Sequence, residues 1–207
     1  MMPKPCVAPL EVGIRFFALS LIFCSATVMA AQNPPATQQH AQFAVASHPE
    51  WPKANPADVA TVEDIVRAFY SAISTPAGGK LDQIRLRSLF VPGGRIAASV
   101  PPNSSRAADV RFLSPEEYAA ISNAQTVTLG FFDCNPANQI ERFGEMAHVY
   151  STFESRLRLD DPKPIRRGIK SFELLKSANR WYIVGIYWDW ERPDLPIPES
   201  YLHDSDR

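Results

Sequence analysis

The side chains best suited to proton transfer fall in two alternating, strand-like segments of the C-terminal half. His148, Tyr150 and Glu154 are separated by even numbers of residues, so a strand over 146–159 places them on one face. Glu173 belongs to the next predicted strand. A histidine beside a carboxylate can act as general acid and base, and a tyrosine hydroxyl can donate to a developing oxyanion. This set therefore makes His148, with Glu173 or Glu154, the candidate acid and base for proton transfer.

Two other interpretations compete with that prediction. Simple hydrophobicity places Val149 and Phe153 inside, which turns His148 toward solvent on the outer sheet face. Alternatively, His148 and Glu173 form a satisfied polar pair in a filled core. The strand pattern alone leaves all three open.

The cysteine and histidine positions in the sequence give little support for metal or thiol chemistry. Cys6 and Cys24 fall in the predicted export signal, which leaves Cys134 unable to form an intramolecular disulfide, and we interpret it as a small, partly buried residue. The histidines are scattered and show no metal-ligand spacing: His40, His48, His148 and His203. We expect no metal and no cofactor. Asp133 is predicted to form a turn, with a role as a base as the alternative.

Composition indicates one globular domain without a nucleic-acid or membrane footprint. The chain has 207 residues, 45% hydrophobic and 21% charged, with a formal net charge of -1. That length supports a single substantial core. The near-zero charge gives no electrostatic attraction for nucleic acid or an anionic bilayer. We expect no nucleic-acid partner and no membrane contact beyond the signal peptide.

The N terminus has the pattern of an export signal. Lys4 and Arg15 precede an uncharged apolar run over 16–24, and Val28-Met29-Ala30 gives a small-x-small ending. The run is shorter than the roughly 20 residues that a spanning helix needs. We therefore predict a signal peptide over 1–30, cleaved near Ala30, and a periplasmic or secreted protein. An uncleaved anchor and lipidation at Cys24 are the alternatives.

The remaining chain divides into a leader, helices, strands and a tail. Residues 31–57 form a flexible Pro-, Gln- and Ala-rich leader. Capping and apolar spacing predict helices over 61–73, over 81–89 with Ile84 facing inward, and from Ser114 to about 122. Strands are predicted at 95–100, 110–112, 140–143, 146–159, 169–176 and 181–190. Pro193 begins an extended tail, 193–207.

These elements predict an α+β domain over 58–192. Short connections between successive strands require antiparallel pairing, and the amphipathic helices must cover one face of the sheet. We therefore expect a cone-shaped, curved antiparallel sheet packed on three helices of the N-terminal half.

The motifs resemble those of the nuclear-transport-factor-2-like superfamily, more closely its SnoaL-like branch. The resemblance spans about 58–192 and is carried by the helix 64–70, the Ser88-Leu89-Phe90 turn, Arg167-Gly168-Ile169 and the hairpin 179–184. It implies a cone of strands on three helices, often dimerising through the outer sheet face. One departure is that Ala97 and Ala98 stand where the superfamily's steroid isomerases carry a catalytic carboxylate.

The resemblance also implies a pocket inside the cone. It places the His148 face inward, with Ser171 and Glu173 inward on the next strand. It places Tyr182, Val184, Ile186 and Trp188 inward on the last strand, and Trp181, Tyr187 and Asp189 outward as a dimer patch. The implied ligand-binding residues are Phe69, Tyr70, Tyr150, Ser171, Tyr182 and Trp188. Ser171 also stands where the isomerases carry a second carboxylate, which argues against their chemistry.

Three functions follow as hypotheses. The first is an exported SnoaL-like domain that holds a small, mostly apolar molecule in the cone. The second is an isomerase-, cyclase- or lyase-type enzyme that uses His148 with Glu173 or Glu154. The third is a non-catalytic accessory domain that forms a homodimer through the outer sheet face.

Overall fold

The computed structural model describes residues 44–204. The predicted signal peptide and the leader up to residue 43 lie outside the described residues. The helices are α1 (Pro56–Val59), α2 (Val62–Ile73), α3 (Gln83–Leu89) and α4 (Pro115–Thr126). The strands are β1 (Phe90–Val100), β2 (Asp109–Leu113), β3 (Phe132–Phe143), β4 (Met146–Arg156), β5 (Arg166–Ser177) and β6 (Arg180–Trp190). Short 3-10 turns span Val45–Ser47 and Glu199–Tyr201.

Local side-chain caps start the three longer helices. The backbone N–H of Asp64 donates to Thr61 Oγ1 (3.0 Å) at the start of α2. Ser114 and Glu117 form a reciprocal capping box at α4, with bonds of 2.7 and 3.1 Å. The predicted inward position of Ile84 is wrong, since that side chain is 74% exposed. Leu86 and Leu89, predicted to face inward with it, are fully buried.

The six strands form one open sheet in the order β2-β1-β6-β5-β4-β3. Hairpins make β3–β4, β4–β5 and β5–β6 antiparallel, as predicted. The β1–β6 pair is parallel, so the sheet is mixed. A short hairpin forces the strands it joins to be antiparallel, but no hairpin joins β1 to β6, so these two strands can run parallel. The α+β prediction is confirmed.

The helices cover one face of this sheet, which we call the inner face. The ring of Phe69 on α2 lies 5.3 Å from that of Phe172 on β5, edge to face. Val149, Phe153 and Ile183 are also buried there. The opposite, outer face carries the alternate residues of each strand.

Strand β3 begins earlier than predicted. It pairs with β4 from Phe132 onward, and its register shifts between Cys134 and Ala137. The shift surrounds Pro136, which cannot donate to a regular ladder. Because proline is rare in strands, its presence led the sequence-based prediction to start this strand too late.

Both ends of the described chain contact the domain. The Trp51 indole N–H donates to the carbonyl of Phe90 (2.9 Å), and the Arg87 guanidinium lies 4.2 Å from the Trp51 ring centre. Residues 198–204, here called the C-terminal strap, cross the outer face of β3 and β4. Within 44–204 no helix is long and apolar enough to cross a membrane.

Candidate functional site

The predicted inward face of β4 is its outer face. The Tyr70 hydroxyl of α2 donates to Ser151 Oγ (2.9 Å), which places Ser151, with Val149 and Phe153, on the helix side. His148 and Tyr150 therefore point away from the helices. Burying Val149 and Phe153 removes more apolar surface from water than burying His148 and Tyr150 would, and this difference sets the orientation of β4.

Strand β5 shows the same reversal. Phe172 and Leu174 are buried against the helices, so the predicted inward positions of Ser171 and Glu173 are wrong. Ser171 is nonetheless buried, because neighbouring outer-face side chains cover it.

Strand β6 changes face at a bulge. Glu173 pairs with Gly185 whereas Leu174 pairs with Ile183, so Val184 is the extra residue. Ile186 and Trp188 therefore lie on the inner face, as predicted, whereas Tyr182 and Val184 lie outside. The same bulge turns Trp181 inward and leaves Tyr187 outward.

The outer face brings together four of the predicted site residues. His148 Nε2 lies 2.8 Å from Ser171 Oγ and 3.6 Å from Glu173 Oε1, and the ring centres of His148 and Tyr150 are 4.4 Å apart. The Tyr187 hydroxyl donates to Glu173 Oε1 (2.9 Å). These groups form a polar network on the open side of the sheet rather than inside a cone.

Glu154 is not part of this network. Its carboxylate binds Arg156 (2.7 Å) and lies 3.5 Å from Arg167 Nε. It lies six residues along β4 from His148, roughly 20 Å at strand rise. A catalytic partnership between Glu154 and His148 is therefore not supported by the geometry.

A groove of about 670 Å³ lies beside the polar network on the outer face. Its floor contains small residues of β1 and β5, Ala97 and Ser171. Aromatic residues border it from β2, β4, β6 and the C-terminal strap: Phe112, Tyr150, Tyr187 and Tyr201. The groove combines apolar walls with a few polar groups.

The C-terminal strap builds one wall of this groove. The rings of Tyr201 and Tyr150 pack edge to face, with centres 5.6 Å apart. The Thr152 hydroxyl donates to the carbonyl of Tyr201, and Gln139 Nε2 donates to the carbonyl of Ser200 (2.9 Å). The strap is thus anchored to the edge of the sheet.

A second depression of about 450 Å³ adjoins the other side of the network. It contains His148 and Glu173 together with apolar side chains from the ends of β3, β4 and β5: Phe143, Met146 and Leu175. These three residues form one exposed row across the sheet.

The inner face contains a buried ion pair that the sequence analysis missed. Lys170 Nζ lies 2.8 Å from Asp133 Oδ2, and both side chains are almost fully buried. Ser155 donates to the other carboxylate oxygen, and the Lys170 ammonium lies 3.4 Å from the Phe153 ring centre. Burial lowers the pKa of Lys170, and the Asp133 carboxylate opposes that shift. The sequence did contain a sign of this pair. Lys170 lies two and four residues before Phe172 and Leu174, so a strand places it on the same face as these apolar residues.

This pair also corrects the interpretation of Asp133, which lies in β3 rather than in a turn.

Phe69 and Tyr70 lie on the inner face, and both are buried in the core. Burial raises the pKa of Tyr70 well above its usual value. Trp188 also faces inward, against Tyr118 (6.1 Å between ring centres). Within residues 44–204 no cluster of three metal-ligating side chains is present.

No family model matches this chain, and no curated protein matches it. Several solved structures are similar. A protein of unknown function with a cystatin-like fold from Nostoc punctiforme is 15% identical, with a TM-score of 0.47, covering 66% of this chain and 92% of its own. An NTF-2-like protein of unknown function from Silicibacter pomeroyi is 14% identical, with a TM-score of 0.42, covering 63% of this chain and 92% of its own.

A third similar structure is an NTF2-like protein of unknown function from Shewanella baltica. It is 12% identical, with a TM-score of 0.42, and the match covers 64% of this chain and 98% of its own. Membership of the nuclear-transport-factor-2-like superfamily and of its SnoaL-like branch stays a prediction.

Proposed function

We propose that this domain binds a small, mostly apolar molecule in the groove on its outer sheet face. The observation that carries the proposal is the groove itself, about 670 Å³ with aromatic walls and a few polar groups. Small-molecule sites in proteins typically have volumes of roughly 300–1,000 Å³ and this kind of lining. The cone interior predicted as the site is filled by Phe69, Tyr70 and Phe172 at the place where α2 meets the sheet.

Two aromatic residues of the groove keep much of their surface in water. Phe112 is 72% exposed and Tyr187 is 46% exposed, so each leaves a large apolar surface in water. Large exposed apolar surfaces on a monomer commonly mark binding sites.

Native mass spectrometry of the full chain purified from its host tests this proposal. We expect a bound small molecule in the wild type and its loss in Ala97→Trp, which fills the groove floor. Ile84→Trp, on the exposed side of α3, is the matched control and should keep the molecule. The same ligand occupancy in Ala97→Trp as in the wild type would refute the assignment.

A homodimer through the outer face is the second candidate. It is supported by the exposed row of Phe143, Met146 and Leu175, which is separate from the groove. Light scattering of the wild type and of Met146→Lys tests it. We expect the dimer fraction to fall in the variant, because a lysine in an apolar contact must be desolvated.

Acid–base catalysis by His148 and Glu173 is a third proposal, supported by their 3.6 Å contact. If a turned-over ligand is identified, His148→Ala and Glu173→Gln should abolish turnover while ligand binding persists. Unchanged turnover in both variants would refute it.

We further propose that the protein acts after export. The support is the sequence pattern over 1–30. N-terminal sequencing of protein recovered outside the cytoplasm should begin near residue 31.

A further inference from the structure

We infer that the groove accepts a flat, uncharged ring compound, held between aromatic side chains. This inference rests on the proposed function and narrows it to one class of ligand. It is carried by the register of five strands and by the charges that border the groove.

One row of residues crosses the outer face with alternating side-chain size. Phe112 pairs with Ala97, and Ala97 pairs with Tyr187. Tyr187 pairs with Ser171, and Ser171 pairs with Tyr150. An aromatic residue therefore stands on β2, β6 and β4, and a small residue stands on each strand between them. The row makes one open slot, with Phe112 and Tyr187 as its sides and Ala97 as its floor, because outer-face side chains already cover Ser171.

The strand spacing sets the width of this slot. Neighbouring strands lie about 4.8 Å apart, so aromatic residues on alternate strands are separated by about 9.5 Å at the backbone. Carbon atoms pack at about 3.5–4.0 Å, so one flat ring between two side rings needs about 7–8 Å. A saturated ring system is thicker and fits less well. A single alkyl chain would leave aromatic surface uncovered.

The electrostatics favour an uncharged ligand. Asp189 is the charged residue among those that line the groove, and Arg192 Nη1 lies 3.1 Å from its Oδ2. The hydroxyl of Tyr187 already donates to Glu173. An ion entering the groove would lose water without finding an unpaired opposite charge.

Calorimetric titration of the full chain with three uncharged probes tests the inference: 2-naphthol, decahydro-2-naphthol and 1-decanol. The first two share a carbon skeleton and a hydroxyl but differ in flatness. We expect 2-naphthol to bind at least tenfold more tightly than either other probe. We also expect Ala97→Leu, which fills the slot, to weaken 2-naphthol binding at least tenfold, while Ile84→Leu leaves it unchanged.

The outcomes separate the two proposals. If decahydro-2-naphthol or 1-decanol binds as tightly as 2-naphthol and Ala97→Leu still weakens binding, the groove is a binding site but the flat-ring inference is wrong. If binding of every probe is insensitive to Ala97→Leu, both proposals fail. Circular dichroism of each variant verifies that the fold is retained.

Discussion

Lys170 and Asp133 form an ion pair on the inner face of the sheet, with 2.8 Å between Nζ and Oδ2. Removing one partner of such a pair leaves an uncompensated buried charge, which costs about 3–5 kcal/mol. We therefore expect Asp133→Ala to lower the free energy of unfolding by about that amount. Urea denaturation followed by circular dichroism measures the loss.

The double variant Asp133→Leu/Lys170→Met is the matched control. Replacing both charges by apolar groups of similar size is often neutral or stabilising, so the double variant should recover most of the stability. If the double variant is as unstable as Asp133→Ala, the unpaired charge on Lys170 is not the cause of the lost stability.

The Asp58–Arg85 pair should make the domain sensitive to acid. Arg85 Nε and Nη2 donate to the two Asp58 carboxylate oxygens at 2.7 and 2.8 Å, joining α1 to α3. Hydrogen bonds from Arg85 hold the pKa of Asp58 below its usual value. A lowered pKa means that the stabilisation is present above the unfolded-state pKa and is lost as pH falls through the folded-state value.

We expect Asp58→Asn to lower stability at pH 7 by about 1 kcal/mol, since the pair is partly exposed. The difference from the wild type should shrink below pH 4, as the wild-type carboxylate becomes protonated. Thermal unfolding between pH 3 and 7 measures this. Asp160→Asn, in the exposed pair with Arg158, should unfold like the wild type at every pH.

Gly168 should tolerate no side chain. A Cβ at this position would overlap the backbone carbonyl oxygen of Asp189 and lie 2.7 Å from the Phe153 ring. We expect Gly168→Ala to destabilise the domain by about 1–3 kcal/mol, the usual cost of overpacking.

Gly185→Ala, on the adjacent strand, is the control. Its nearest contact would be 3.8 Å, an ordinary van der Waals distance. The alanine should be neutral or slightly stabilising, because glycine in a strand interior costs backbone entropy. Equal melting temperatures for the two variants would contradict the packing described at β5 and β6.

Tyr201 should contribute to binding more than to folding. It packs on Tyr150 and lines the groove from the C-terminal strap. We expect Tyr201→Ala to weaken 2-naphthol binding about threefold to tenfold, a typical loss for an exposed aromatic contact. Leu202→Ala should bind like the wild type. A Tyr201→Ala variant with wild-type affinity would exclude the strap from the site.

Residues close in sequence determined much of the fold. The caps at Thr61 and Ser114, and the turn at Gly144, whose φ is 55°, set helix starts and a hairpin through local bonds. Alternating strands separated by short turns then required antiparallel pairing of β3 to β6. These features depend on a few neighbouring residues, and the sequence analysis predicted them.

The face that each strand presents was decided by the tertiary structure. The extra residue at Val184 shifts the alternation of β6, so Ile186 and Trp188 face inward while Tyr182 faces outward. On β4 the structure follows simple hydrophobicity, with Val149 inward against α2 and His148 outward, and not the orientation that the family resemblance implied.

Short-range hydrogen bonds and apolar spacing specify the starts of α2 and α4, the hairpins and the α+β class, so these features could be predicted. Which residues meet depends on how the whole chain packs. Lys170 and Asp133 are 37 positions apart, and the groove joins β1, β2, β4, β5, β6 and the C-terminal strap. Their proximity follows from strand register and burial, which involve the whole chain at once.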